Sequence, residues 1–244
     1  MIYKIAIYFM IFLIYATVGY IYEVIAMSII NKKLSLSRGY LIGPYLPVYG
    51  LGCLMITLFI TKYASDRITV FLLGMIYCCT LEYLTSYILE KIYGLRWWDY
   101  SDKKYNLNGR INLVTGIKFG ISSIFIIEVF NPLIYKILGI IPESILVIIS
   151  IFLASIIILD TIISSYTIAK LKINTKKYYK KDATEEIKEK VIQSLKKYRG
   201  FYIRLFHAFP NITIKYPKFN NIKNNLKKIE QKRKKKWNKK RVLH

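Results

Sequence analysis

Four carboxylates stand where carboxylates are costly. Glu23, Glu82, Glu128 and Asp160 each lie within a long, mostly apolar run. An ionisable group inside a membrane span is expensive, so it faces a packed interior or a water-filled cavity and marks a functional site by default. Glu23 follows Phe12, Ala16 and Gly19 at helical spacing and precedes Ala26 and Ile30, so it shares a stripe with small residues. Small residues let helices approach, which turns that stripe toward other helices. Cys78, Glu82, Thr85 or Ser86, and Leu89 make a second stripe, and Asp160, Ser164 and Thr167 a third. Lys118 falls in the cytoplasmic half of the fourth apolar run, on a different face from Gly116 and Gly120. One cation and three acids are therefore expected around a polar chamber open to the cytoplasm. The plainer alternative is that they pair with each other or with tyrosine hydroxyls and set helix register.

The elements that must position these groups are membrane helices. Hydrophobic residues make up 54% of 244 residues, and mean hydropathy is +0.32. Five apolar runs are expected as spans, roughly Tyr3–Ile30, Pro44–Lys62, Arg67–Tyr93, Ile111–Gly139 and Pro142–Leu171. At about 1.5 Å per residue even the shortest covers about 30 Å of hydrocarbon. Helices are the default because lipid leaves open backbone groups unsatisfied, and no run alternates like a barrel strand. The fold class is all-α: a polytopic helical membrane protein, multi-pass in the cell membrane. The first run is too long for a cleaved signal peptide.

Charge divides the chain in two. Residues 1–171 carry 14 Lys/Arg and 9 Asp/Glu, whereas residues 172–244 carry 24 and 5. Residues 1–171 are read as a transmembrane helical domain and residues 172–244 as a basic cytoplasmic tail. Lys32, Lys33 and Arg38 follow the first run, and Arg96, Lys103, Lys104 and Arg110 follow the third. The positive-inside bias then puts those loops and the tail in the cytoplasm and the N-terminus outside. Abundant Ile, Lys, Asn and Tyr point to a low-GC bacterial genome. In the tail, Asp182–Tyr198 reads as a short amphipathic helix, and Phe201–Phe209 forms an apolar patch around His207. The lysine-rich end suits anionic lipid headgroups, with Trp237 inserting at the interface, and nucleic acid ranks below lipid as its partner.

Two loops carry unusual chemistry. SRGYLIGPYLPVYGLG (Ser37–Gly52) has four glycines and two prolines at a membrane face. Irregular backbone there is tolerated only when buried in protein or lining a cavity, and a re-entrant segment around Leu41–Val48 is one form of it. One reading is a cavity entrance with Arg38 able to hold a phosphate or carboxylate through two hydrogen bonds; the other is an ordinary interfacial turn in which Arg38 only follows the positive-inside bias. In GLRWWDYSDKKYNLNGR (Gly94–Arg110), Trp97, Trp98 and Tyr100 suit the headgroup zone, and Asp99 and Asp102 are set to pair with Arg96 and Arg110. The two loops share a side and are expected to form one lid.

Much is excluded. Cys53, Cys78 and Cys79 lack metal-ligand spacing and read as packing residues. No G-x-S-x-G occurs, and neither histidine lies in the body. No G-x-x-x-x-G-K-[ST] occurs, so the chain does not hydrolyse ATP by that route. The balance is against an enzyme, and no cofactor or metal is expected.

GYIYEVI (Gly19–Ile25), the Ser37–Gly52 loop, LEYLTSYILEKIYGLRWWDYSD (Leu81–Asp102), NLNGRINL (Asn106–Leu113) and RLFHAFP (Arg204–Pro210) resemble the ABC-transporter type IV family, the CmpB-like permeases. The resemblance covers about the first 130 residues well and the tail thinly. It implies an integral membrane protein that works as permease partner to a separate ATP-binding subunit, and so few spans would require a homodimer. By motif position it marks Glu23, Arg38, Glu82, Trp98, Asp99, Asn108 and Arg110, to which the apolar-run argument adds Lys118 and Asp160. Ser37 departs from the pattern, which has asparagine there. Two other readings stand beside the permease. One is an intramembrane enzyme or lipid-binding protein that holds anionic headgroups on Arg38 and Arg110, with Glu23 or Glu82 as general acid or base. The other is a membrane scaffold or sensor that recruits partners through its tail.

Overall fold

A long apolar run in lipid must satisfy its own backbone, and these runs do so as helices. A computed structural model describes residues 1–30, 32, 34–36, 39–178, 200–201, 204, 208 and 213–214. Arg38, Lys33, the expected helix Asp182–Tyr198, His207 and the lysine-rich end lie outside the described residues.

Helix α1 (Ile2–Ile30) leads through a loop to α2 (Pro47–Met55), which continues through Ile56–Ile60 and Thr61–Tyr63. Then come α3 (Arg67–Tyr93), α4 (Leu113–Phe125) running through Ile126–Phe130 into α5 (Asn131–Gly139), and α6 (Glu143–Tyr178). Strands are only two residues long. β1 (Leu95–Arg96) pairs antiparallel with β4 (Thr213–Ile214), and β2 (Asn106–Leu107) pairs with β3 (Ile111–Asn112). Local chemistry sets the helix ends. The Asp66 carboxylate accepts from the N–H groups of Ile68 and Thr69 at the start of α3, Gly94 closes it at φ +69°, and Asn112 caps α4 through Thr115 N–H.

Four helical runs are long and apolar enough to cross a bilayer: Ile2–Ile30, Arg67–Tyr93, Leu113–Gly139 and Glu143–Lys170. The expected second span is shorter than the others. Its helix is Pro47–Tyr63, 17 residues or about 25 Å. The shortfall is made up by irregular chain. Leu46 N–H donates to the carbonyl of Ala16 at 2.9 Å, halfway along α1 and about 20 Å from its end at Ile30. The loop after α1 therefore dips back into the bundle, and α2 starts level with the middle of α1. Pro47 suits that start, because its missing N–H would have had no helical partner.

Close packing follows from small residues. A Cβ on Gly50 would lie 2.4 Å from the Phe12 carbonyl oxygen, and one on Gly74 would strike Ser123 Oγ at 2.0 Å. These contacts bring α2 against α1 and α4 against α3. Ser150 on α6 donates to the Ala6 carbonyl, and Ile157 packs against the cluster of Ala16, Leu41 and Tyr45, so α1 and α6 run parallel. Parallel first and last helices require an odd number of traverses, which the short α2 completes. The turns at Ile56–Ile60 and Ile126–Phe130 are wider than α-helical. The second has a visible cause: Pro132 has no N–H to offer the Glu128 carbonyl. Between these turns, Tyr15 Oη donates to Asn131 Oδ1 at 2.8 Å, and Asn131 Nδ2 donates to Thr57 Oγ1 at 3.1 Å.

The boundary at residue 171 falls inside α6, which runs on to Tyr178. Beyond it, Arg204, Ala208 and β4 lie against the body.

Candidate functional site

Glu23 sits one helical turn beyond Gly19 on α1. Gly19 carries no side chain, and the Tyr49 ring fills that space; a Cβ there would lie 2.4 Å from Tyr49 Cγ. This seat lets Tyr49, in the first turn of α2, donate its hydroxyl to Glu23 Oε1 at 2.8 Å. Tyr49 is thus a site residue that spacing within α1 did not reveal.

Glu82 on α3 is met from the other direction. The loop after α3 folds back under the bundle, and Tyr100 donates its hydroxyl to Glu82 Oε1 at 3.2 Å. Glu82 Oε2 is buried and has no hydrogen-bond partner among the described residues. Tyr100 Oη also meets Thr115 of α4, and Glu23 is close enough to act electrostatically on both Tyr100 and Glu82. Burial, reinforced by the Glu82 carboxylate, pushes the Tyr100 phenol up, so it stays a donor. Glu23, Tyr49, Glu82, Tyr100 and Thr115 form one polar cluster contributed by α1, α2, α3, α4 and the loop after α3.

That loop is rigidly built. Asp99 Oδ1 accepts from Ser101 Oγ at 2.6 Å and from Ser101 N–H at 3.0 Å. Those bonds, with Arg96 at 3.4 Å, hold the Asp99 carboxyl below its usual range. Arg96 also donates to the Asn108 carbonyl, and Asn108 Nδ2 donates to Tyr83 Oη at 3.0 Å. Trp98 Nε1 donates to the Arg110 carbonyl at 3.0 Å. Arg110 is buried. It donates to Ser86 Oγ at 2.9 Å and Glu90 Oε2 at 2.8 Å, and lies over the rings of Tyr83 and Tyr87.

Several expectations change here. Asp99 pairs with Arg96 as expected, but Arg110 pairs with Glu90 of α3, while among the described residues Asp102 pairs with its neighbour Lys103 at 3.5 Å. The aromatic residues make contacts within the protein: Trp98 bonds the Arg110 carbonyl and Tyr100 bonds Glu82. Trp97 is almost fully buried, with ring contacts to Tyr40 at 5.9 Å and Tyr93 at 6.3 Å. The contact with Tyr40 joins the two loops.

Asp160 lies apart from the Glu23–Glu82 cluster and grips the re-entrant loop. Its Oδ1 accepts from Ile42 N–H at 2.9 Å and Ser164 Oγ at 2.9 Å. Its Oδ2 accepts from Gly43 N–H at 2.8 Å and Tyr45 Oη at 2.6 Å. Both oxygens are fully used. Lys118 is exposed and makes no ion pair among the described residues, so it does not join the acids. Glu128 instead takes a two-pronged ion pair from Arg67 at 2.6 and 2.9 Å. Among the described residues no group of three or more His, Cys, Asp or Glu is arranged to hold a metal ion.

Comparisons with curated proteins and with solved structures found no match. A family model described as "Putative ABC-transporter type IV" matches residues 10–165. That stretch holds the polar cluster, both loops and Asp160. The chain belongs to this family of ABC-transporter-associated membrane proteins.

Proposed function

We propose that this chain is a permease-like subunit of an ABC-type transporter in a bacterial cell membrane. Glu23 and Glu82 line its polar chamber beneath the re-entrant loop. One observation carries the reading: the chain re-enters the bundle and starts a helix level with Ala16, beside two acids tied to tyrosines. Backbone of this kind inside a membrane is sustained where it lines a cavity, and broken helices at mid-depth are a recurrent way to build a transport site. Tyr49 and Tyr100 each offer one hydroxyl that a substrate group can replace. Trp98, Asp99, Asn108 and Arg110 hold the loop that carries Tyr100.

The chain has no phosphate-binding loop, so hydrolysis falls to a separate ATP-binding subunit. A homodimer supplies the remaining helices. The basic tail rests on anionic headgroups. The lipid-acting alternative has weaker support, because Arg110, one of the two arginines it would use to hold a headgroup, is already engaged by Glu90.

Purification in mild detergent from membranes that hold the native partners tests the reading. The expected particle is a dimer with a bound ATPase, and Glu23→Gln or Glu82→Gln leaves that particle intact while cutting its coupled ATP turnover at least about tenfold. A monomer with no ATPase would count against it. An altered lipidome in a deletion strain would favour the lipid-acting reading.

A further inference from the structure

We infer that the described residues Arg204, Ala208, Thr213 and Ile214, beyond α6, act as a strap that fastens both loops on this face of the bundle and holds the re-entrant loop in place. Three described points carry this. Arg204 Nη2 donates to the carbonyl of Leu41, and its charge faces Asp160, Tyr20 and Tyr45. Ala208 is fully buried. Thr213 and Ile214 pair with Arg96 and Leu95 at the root of the second loop.

The first contact has a specific logic. The peptide groups from Leu41 to Gly43 present N–H on one side and C=O on the other. Asp160 of α6 accepts the N–H groups of Ile42 and Gly43, while Arg204 donates to the carbonyl of Leu41. An acid and a base from distant parts of the chain thus grip one short stretch of backbone through charge-assisted bonds, the stronger class of hydrogen bond. Irregular backbone has no helical ladder to satisfy it, so these external partners hold it in place. Leu41 is buried under this grip, and Tyr40 beside it packs on Trp97. β4 fixes the other end of the strap to the strand that carries Arg96. Pulling the strap away frees one carbonyl in the re-entrant loop and one edge of the second loop together.

The lysine-rich stretch of the sequence starts directly after Ile214. The inference is independent of the transport reading, because its readouts are labelling and cross-linking in membranes.

The test uses the full chain with Cys53, Cys78 and Cys79 replaced. A cysteine at Leu41 reports release of the loop to a membrane-impermeant maleimide in open membrane fragments. Labelling is expected to be slow in the parent, about tenfold faster with Arg204→Ala as one charge-assisted bond is lost, and slow again with Arg204→Lys. In a separate double variant, Leu95→Cys with Ile214→Cys should form a disulfide on mild oxidation. Unchanged labelling at position 41 in the Arg204→Ala chain, or no 95–214 cross-link, would overturn the strap. Because the Arg204 variants keep the whole chain, a misfolded truncation cannot be mistaken for release.

Discussion

Asp160 and Glu82 are both acids on apolar helices, Asp160 buried and Glu82 with a buried Oε2, yet they are equipped differently. Asp160 has four donors on its two oxygens, two of them backbone N–H groups. Glu82 has the Tyr100 hydroxyl on one oxygen and, among the described residues, nothing on the other. A carboxylate whose lone pairs are filled by the fold is a structural anchor. A carboxylate left half-satisfied in a buried position carries an energetic debt that a ligand or proton can settle. The contrast separates the two roles more clearly than burial or hydropathy does.

The largest expected effect comes from breaking the anchor. Asp160→Ala strands the Ile42 and Gly43 N–H groups and the Tyr45 hydroxyl, and should cost about 3–5 kcal/mol. A sharp drop in the thermal melting midpoint in detergent, with protease sensitivity in the Gly39–Leu46 loop, would register it. Overpacking comes next. Gly50→Ala drives a Cβ to within 2.4 Å of a backbone oxygen on α1, so α1 and α2 must separate, at a cost of about 1–3 kcal/mol. Gly19→Ala presses on the Tyr49 side chain, Cβ and ring alike, and not on a backbone oxygen among its nearest contacts. It should cost less stability but weaken the Tyr49–Glu23 bond, which a shift in the tyrosine hydroxyl infrared band would report. Glu82→Gln should change stability by no more than about 1 kcal/mol, since only one hydrogen bond is touched, while abolishing activity. If Glu82→Gln destabilised the chain as much as Asp160→Ala, the contrast between the two acids would fail.

The smallest effect is one of pH. The Asp99 carboxyl is held low by Ser101 and then by Arg96, so its contribution is fully present above the ordinary aspartate value near 4 and is lost as pH falls through its depressed value. Tryptophan emission from Trp97 and Trp98 should therefore stay constant from neutral pH down to about 4 and shift only below it. A change near pH 6 would point to another group.

The helices were legible because hydropathy over twenty residues needs no tertiary information. The re-entrant loop was legible in part, since four glycines and two prolines at a membrane face restrict what backbone is possible there. The partners were not legible. Ile42 and Asp160 are 118 residues apart, and nothing in either local pattern names the other. Lys118 was misplaced for a related reason. Helices apolar on every side offer little contrast between faces, so spacing groups residues into stripes without saying which stripe meets protein. Arg110 illustrates a third limit. Sequence proximity favoured Asp99 or Asp102, but the β2–β3 hairpin carries Arg110 back onto α3, where Glu90 and Ser86 wait.

The central claim is that the chain re-enters the bundle between α1 and α2 and brings polar groups to mid-depth. A disulfide scan in native membranes tests it most directly, with a cysteine at Leu46 paired in turn with one at Ala16 and one at Ile30. The account predicts rapid cross-linking of 16 with 46 and none of 30 with 46. Cross-linking of 30 with 46 in place of 16 would put the loop at the membrane surface and contradict the account.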